Sequence, residues 1–144
     1  MNKKNKKISA GILVIGNEIL SGRTIDKNIS FLALWLNDNL GIKVKEVRIV
    51  PDEESEMIKN VLSLSKQNNY VLTTGGIGPT HDDITTDCVA EAFGTQVSVR
   101  SDAFKILKKY YDGKGIELNE ARLRMARIPE KADLIENPIS GAPG

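Results

Sequence analysis

The chain reads as an α/β protein, a three-layer α/β/α sandwich around a mostly parallel sheet. Short apolar runs rich in Val and Ile, at 8–16, 43–50 and 70–72, alternate with stretches in which apolar residues recur every three or four positions. Connections of helix length between successive strands produce parallel pairing with right-handed crossovers. At 144 residues the chain is long enough for one domain with one core.

The amino terminus imitates a secretion signal. Lys3, Lys4, Lys6 and Lys7 precede an apolar run from Ile8 to Gly16. The run stops at Asn17-Glu18 without a small-residue cleavage site, so residues 1–7 read as a disordered basic tail and 8–144 as the domain. The first strand is expected over Ala10–Ile15. The first helix is expected from about Asp26 to Leu40, closed by Gly41, a residue suited to the left-handed C′ position. Its core stripe is Ile29, Leu32, Ala33, Leu36 and Leu40. Phe31 and Trp35 lie on a neighbouring face, where they either widen that stripe or anchor a subunit contact.

Lys43–Val50 reads as the second strand, although Val44 and Val47 break the two-residue period. Asp52 is the expected N-cap of the next helix, with Ile58, Val61, Leu62 and Ser65 facing inward. Asn68-Asn69 ends that helix, and the third strand starts at Tyr70. Further on, Gln96–Val99 reads as a short strand and Ser101–Tyr111 as an amphipathic helix. Another helix is expected over Leu118–Ala126 and a last strand over Ala132–Ile135.

Composition narrows the function classes. A net charge of +1 gives no reason to expect a nucleic-acid partner. No stretch reaches the roughly 20 apolar residues of a membrane span. A single cysteine rules out a disulfide framework and suits the cytoplasm. Cys88 falls on an apolar helix face and reads as a buried, inert thiol. No serine lies in an elbow motif and His81 is the only histidine, so serine-nucleophile chemistry has no support.

The stretch that carries chemistry is Thr73-Thr74-Gly75-Gly76-Ile77-Gly78-Pro79-Thr80-His81-Asp82-Asp83-Ile84-Thr85, read as strand end, glycine turn and helix start. Thr80 suits an N-cap, and Asp83 three residues later completes a pair like a capping box. Gly75, Gly76 and Gly78 let the backbone approach a ligand, and their amides beside a helix N-terminus form an anion site. This predicts a bound phosphate or diphosphate. Asp82 and Asp83 oppose it: at about 5 Å and a dielectric of about 20, each carboxylate repels a phosphate by ~3 kcal/mol. A helix N-terminus returns only about 0.3–1 kcal/mol. A divalent ion such as Mg²⁺ between carboxylate and phosphate reverses the sign. The plainer reading is that Asp83 only caps and Asp82 only meets water.

The loop Gly16–Gly22 also follows a parallel strand, and ligand sites gather at the carboxyl ends of such strands. Glu18 is therefore a second candidate carboxylate, or else a solvated loop acid. Lys105–Lys131 carries eight Lys or Arg against four Asp or Glu. Such a face is usually just solvated; the sharper reading is an arginine gripping a ligand phosphate through two hydrogen bonds.

Gly-Gly-Ile-Gly-Pro-Thr-His-Asp-Asp-Ile-Thr resembles the signature of the MoaB/Mog (molybdopterin-binding-like) superfamily, above all its CinA branch of competence/damage-inducible proteins and the related domain of eukaryotic FAD synthases. Gly16-Asn17-Glu18-Ile19-Leu20-Ser21-Gly22, followed by Asp26 and Asn28, resembles that branch's first loop. Asn137-Pro138 with Ala142-Pro143-Gly144 resembles its last, and Asn119 with Arg122 matches an Asn-x-x-Arg pattern. The likeness runs from about Ile12 to the end. Ser140-Gly141 departs from the Gly-Thr of many CinA proteins. Members of this branch continue past Ala-Pro-Gly with at least one more strand and a Pro-Gly loop, so the last strand or strands read as missing.

The resemblance implies a metal-dependent pyrophosphatase of ADP-ribose or a related dinucleotide such as FAD. Asp82 and Asp83 would be catalytic and hold Mg²⁺ or a similar ion. Gly16, Glu18, Gly22, Gly75, Gly76, Gly78, Thr80, Thr85, Arg122, Asn137 and Gly141 would contact the ligand. An alternative is a molybdopterin-binding or adenylyl-transfer role in molybdenum cofactor biosynthesis. Asp83 and Thr85 match the Mog proteins there, whereas Asp82 stands where they carry arginine and Ile77 where they carry threonine. A third reading is a binding module without turnover. The expected partners are a small nucleotide or pterin phosphate and further copies of the chain, as a dimer or trimer.

Overall fold

A computed structural model describes residues 7–144; the predicted basic tail, apart from Lys7, lies outside the described residues. The chain forms two compact units, divided between Thr74 and Gly75.

In the first unit β1 (Ser9–Ile15) is the centre of a parallel sheet, with β2 (Lys43–Val50) on one side and β3 (Tyr70–Thr74) on the other. Every residue of β1 is buried, as a central strand covered on both faces requires. The helix α1 (Asn17–Leu20) follows β1, and α2 (Asn28–Leu40) and α3 (Glu54–Gln67) connect the strands. Ala10 packs with Leu36 of α2, Ile42, Val44 and Leu72. A Cβ on the adjacent Gly11 would lie 3.0 Å from Leu64 of α3. Successive strand residues point to opposite faces, so α2 and α3 cover opposite sides and the three layers are present within this unit.

The irregular period of β2 has a physical cause. Ala10 pairs with Val44 but Gly11 pairs with Glu46, so Lys45 is an extra residue in a β-bulge. Beyond the bulge Val47 and Ile49 share the α2 side with Ile12 and Val14, while Glu46 and Arg48 face α3. There the Arg48 Nη1 donates to Asn60 Oδ1 at 2.9 Å. That bond rotates α3 relative to its predicted stripe: the buried positions are Met57, Asn60, Val61 and Leu64, with Ile58 and Leu62 on the flank. A reading by hydrophobicity passes over the polar Asn60 and sets the face one position off.

α2 begins at Asn28, and Asp26 Oδ1 accepts from the Ile29 amide at 2.7 Å. Gly41 ends it with φ of 65°, as expected. Asp52 does not cap α3, which starts two residues later. Its Oδ2 accepts from the Asn17 amide at 2.8 Å, capping the turn after β1. Phe31 and Trp35 do not widen the core; both are exposed.

The second unit contains α4 (Thr85–Ala92), β4 (Val97–Val99), α5 (Ser101–Gly113), α6 (Glu120–Leu123), a 3-10 turn (Arg124–Ala126) and β5 (Arg127–Pro129). β4 and β5 pair antiparallel. Ala103 and Leu107 of α5 pack on Ala126 and Ile128 to form its core. The expected helix over Leu118–Ala126 is one α turn followed by the 3-10 turn. The expected last strand is displaced: Arg127–Pro129 is the strand, and Ala132–Ile135 is irregular. In this irregular stretch the Arg100 guanidinium donates to the Ala132 carbonyl. Cys88 is buried in α4.

Candidate functional site

Thr85 holds the glycine loop closed. Its Oγ1 donates to the Gly75 carbonyl at 2.9 Å and its amide donates to the Gly76 carbonyl at 3.1 Å. Gly76 has φ of 67°, and a Cβ there would lie 2.1 Å from Thr85 Oγ1, so only glycine fits.

The acidic turn that follows is tied to itself. Asp83 Oδ2 accepts from the Thr80 amide at 2.8 Å and from the Thr80 hydroxyl at 2.6 Å, and the Asp83 amide donates to the Thr80 carbonyl at 3.2 Å. The Gly78 amide is a further donor to the carboxylate. A Cβ on Gly78 would come within 2.7 Å of Oδ2, so this position also favours glycine. The predicted reciprocal pair of Thr80 and Asp83 is therefore present, but not as a helix cap. It closes a turn before α4, whose first residue is Thr85.

Partial burial alone would raise the Asp83 pKa. The Thr80 hydroxyl, the Thr80 and Gly78 amides and the nearby Arg124 charge outweigh it, and the carboxyl is held below its ordinary value. One of the amides expected to receive an external anion, that of Gly78, thus already holds an internal one. Asp82 differs: its side chain is 76% exposed, with Oδ1 3.0 Å from His81 Nε2.

Beside this turn is an open cleft of about 480 Å³, lined in part by Thr80, His81, Asn119, Arg122 and Arg124. The fold therefore brings the central loop together with the Asn-x-x-Arg segment some forty residues away. Asn119 caps α6, its Oδ1 accepting from the Arg122 amide at 3.0 Å. Arg122 is engaged within the protein: its Nη1 donates to the Glu117 carbonyl at 2.7 Å, and its guanidinium lies 5.3 Å from the centre of the Tyr111 ring.

Arg124 is the arginine of this basic segment that sequence reasoning passed over in favour of Arg122. It lines both the cleft and a small enclosed cavity shared with Gly78 and Asp83. Its Nε is buried with no hydrogen-bond partner among the described residues. Both arginines line the cleft, but only Arg124 also reaches the cavity beside Asp83. Arg127 was also missed as a structural residue: it forms a two-pronged pair with Asp87, at 3.0 and 2.6 Å, joining β5 to α4.

Of the remaining candidates, Gly16, Glu18 and Gly22 belong to the first unit. The Glu18 carboxylate folds back over Gly16, where a Cβ would meet it at 2.6 Å. Asn137 is the hub of a turn, its Oδ1 accepting from the Ile139 and Ser140 amides and its Nδ2 donating to Ser140 Oγ at 2.8 Å. Gly141 lies against the Tyr110 ring, which a Cβ would approach to 2.5 Å. Neither residue lines the cleft.

The donor set sets the terms for a metal. Among the described residues no three His, Cys, Asp or Glu side chains converge, so an all-protein cage of the zinc or calcium type is absent. The fit is to an ion of the Mg²⁺ type, which uses one or two carboxylates and takes further oxygens from ligand phosphate and water. No described helix is long and apolar enough to cross a membrane.

Comparison with known proteins gives the family. Residues 11–144 match the family described as "Probable molybdopterin binding domain". A protein of Aeropyrum pernix is 38% identical over 138 residues, covering 94% of this chain and 50% of that protein. A competence-damage inducible protein of Clostridium tetani is 34% identical, covering 95% of this chain and 33% of its own length. The chain thus spans about half the length, or less, of such relatives. The crystal structure of CinA from Thermoplasma acidophilum, a protein described as of unknown function, superposes with a TM-score of 0.85 at 35% identity, covering 94% of this chain and 79% of that one. The tungsten cofactor synthesizing protein MoaB from Pyrococcus furiosus shares the fold, at a TM-score of 0.58 and 24% identity. With its glycine loop, its acidic turn and the arginines beside them, the chain belongs to the MoaB/Mog-type molybdopterin-binding-like domain family, in its CinA branch.

Proposed function

We propose that this chain binds a nucleotide diphosphate and, with a divalent ion, hydrolyses the diphosphate of ADP-ribose or a related dinucleotide. The observation that carries this reading is the cleft in which the acidic turn stands next to Arg122 and Arg124. Its volume suits a small organic ligand, for which 300–1,000 Å³ is usual. Arg122 and Arg124 line the cleft, and Asp83 lines the small cavity that shares Arg124; guanidinium groups with a neighbouring carboxylate are the two halves of a site for a metal–phosphate pair.

In this reading Arg124 receives a phosphate oxygen in the cleft. Asp83, held by Thr80 and Gly78, keeps the loop in shape, and the freely exposed Asp82 is the carboxylate available to the ion. When bound, the ion neutralises diphosphate charge and polarises the phosphorus–oxygen bond. Water adds to one phosphorus, and the bridging oxygen leaves with the other phosphate, giving AMP and ribose 5-phosphate from ADP-ribose. Glu18 belongs to the first unit and has no assigned step.

The family's description favours a second reading, in which the cleft holds a pterin phosphate without hydrolysis. The two are separated by incubating the chain with ADP-ribose and Mg²⁺ and following AMP by chromatography. The proposal expects AMP from the wild type and at least a hundredfold slower release from Asp82→Asn. No AMP at high enzyme concentration refutes the hydrolase. Undiminished release from the variant refutes the role of Asp82.

A further inference from the structure

The small cavity beside Asp83 has a chemistry of its own. It measures about 20 Å³. A single water needs about 10–15 Å³, so the space suits one water and is too small for an organic ligand. Its polar lining comes from Asp83, Thr86, Asp87, Arg124 and Arg127. Asp87 and Arg127 are bound to each other, at 3.0 and 2.6 Å. Asp83 Oδ2 accepts from the Thr80 amide and the Thr80 hydroxyl. The Arg124 Nε is buried beside them, a donor with no partner among the described residues.

Counting donors and acceptors selects the occupant. A buried N–H left unpaired carries its full desolvation cost, so this donor requires an acceptor. The carboxylates of Asp83 and Asp87 oppose an anion such as chloride. The guanidinium groups of Arg124 and Arg127 oppose a metal cation, which in any case cannot accept from an N–H. Water answers both demands. It accepts from the Nε–H and has two hydrogens for a carboxylate oxygen and the Thr86 hydroxyl; buried waters make about three such bonds. We propose that this cavity is a built water site, in which one resident water accepts from Arg124 Nε and donates to the Asp83 carboxylate.

The water has a consequence for binding. A guanidinium offers its five N–H groups along more than one edge. The edge that contains Nε is taken by the water, and Arg124 also lines the open cleft. A phosphate in the cleft is therefore gripped end-on, by the two Nη groups, and not by the fork of Nε and one Nη. The bridge also ties the orientation of Arg124 to the turn closed by Thr80 and Asp83. The water site stands on the cavity alone, whereas the choice of edge rests on the reading of the cleft proposed above.

The test is NMR of the chain carrying isotope-labelled arginine, first free and then with inorganic pyrophosphate and Mg²⁺. Arg124→Lys removes one Nε–H signal and so identifies it. In the free chain that proton is expected to exchange with solvent at least about tenfold more slowly than the Nε–H of the exposed Arg23. It is also expected to show cross-relaxation to water with the sign of a long-lived bound molecule. Exchange as fast as that of Arg23 overturns the water site, and so does slow exchange without the water signal. A resonance that moves when chloride is replaced by gluconate overturns it in favour of an anion. On adding pyrophosphate, the Arg124 Nη resonances should move while the Nε–H keeps its water signal. Loss of that signal overturns the choice of edge. Unmoved Nη resonances at millimolar pyrophosphate overturn the choice of edge together with the cleft reading, while the result in the free chain stands.

Discussion

Neighbouring residues of the same type have different work in this protein because their surroundings differ. Asp82 and Asp83 are adjacent, yet one faces solvent beside His81 and the other accepts from Thr80 and Gly78. Arg122 and Arg124 divide in the same way: the first serves the Glu117 carbonyl and the Tyr111 ring, and the second keeps a buried Nε without a partner among the described residues. The account therefore assigns ligand binding to Arg124. A hydrogen bond to a charged group contributes about 1.5–3 kcal/mol, so Arg124→Gln should weaken AMP or ADP-ribose binding by tenfold or more. Arg122→Gln should weaken it by less than threefold. Calorimetric titration of both variants measures the difference, and equal losses would contradict the assignment.

At the scale of the element, the loop between β3 and α4 is a clamp with two closures. Thr85 holds Gly75 and Gly76, and Asp83 holds Thr80 and Gly78. The second closure depends on an ionised carboxylate. Asp83 has a folded-state pKa below its ordinary value, so its contribution to stability is complete above that ordinary value, about 4. It is lost as pH falls further, through the folded-state pKa. The Asp83 carboxyl-carbon resonance should stay constant from pH 7 to 5 and move only below about pH 4. In Asp83→Asn that transition should be missing. Movement centred above pH 5 would show that the carboxylate is not held as described.

Across the whole molecule, what sequence made legible depended on whether local rules decided the structure. The central strand β1, the Gly41 terminus and the order of elements followed from apolar period and glycine placement, both local signals. The face of α3 did not, because Arg48 draws the polar Asn60 into a buried position. The last strand did not either: the pairing partner of β4 is Arg127–Pro129, set by a long-range contact and not by the apolar pattern at Ala132–Ile135. Within the site, the glycine loop and acidic pair stood out because that spacing has few other uses. The separation of Arg122 from Arg124 was hidden in a change from α to 3-10 winding at Arg124, which depends on packing against α5.

The central claim is that the cleft beside the acidic turn receives a diphosphate. It is tested most directly by amide NMR of the chain titrated with ADP-ribose in the presence of Mg²⁺. The account predicts saturable shifts at Gly78, Thr80, Asp82, Asn119 and Arg124, reduced when Mg²⁺ is removed by a chelator. Shifts confined to other parts of the chain, or none at millimolar ligand, would contradict it.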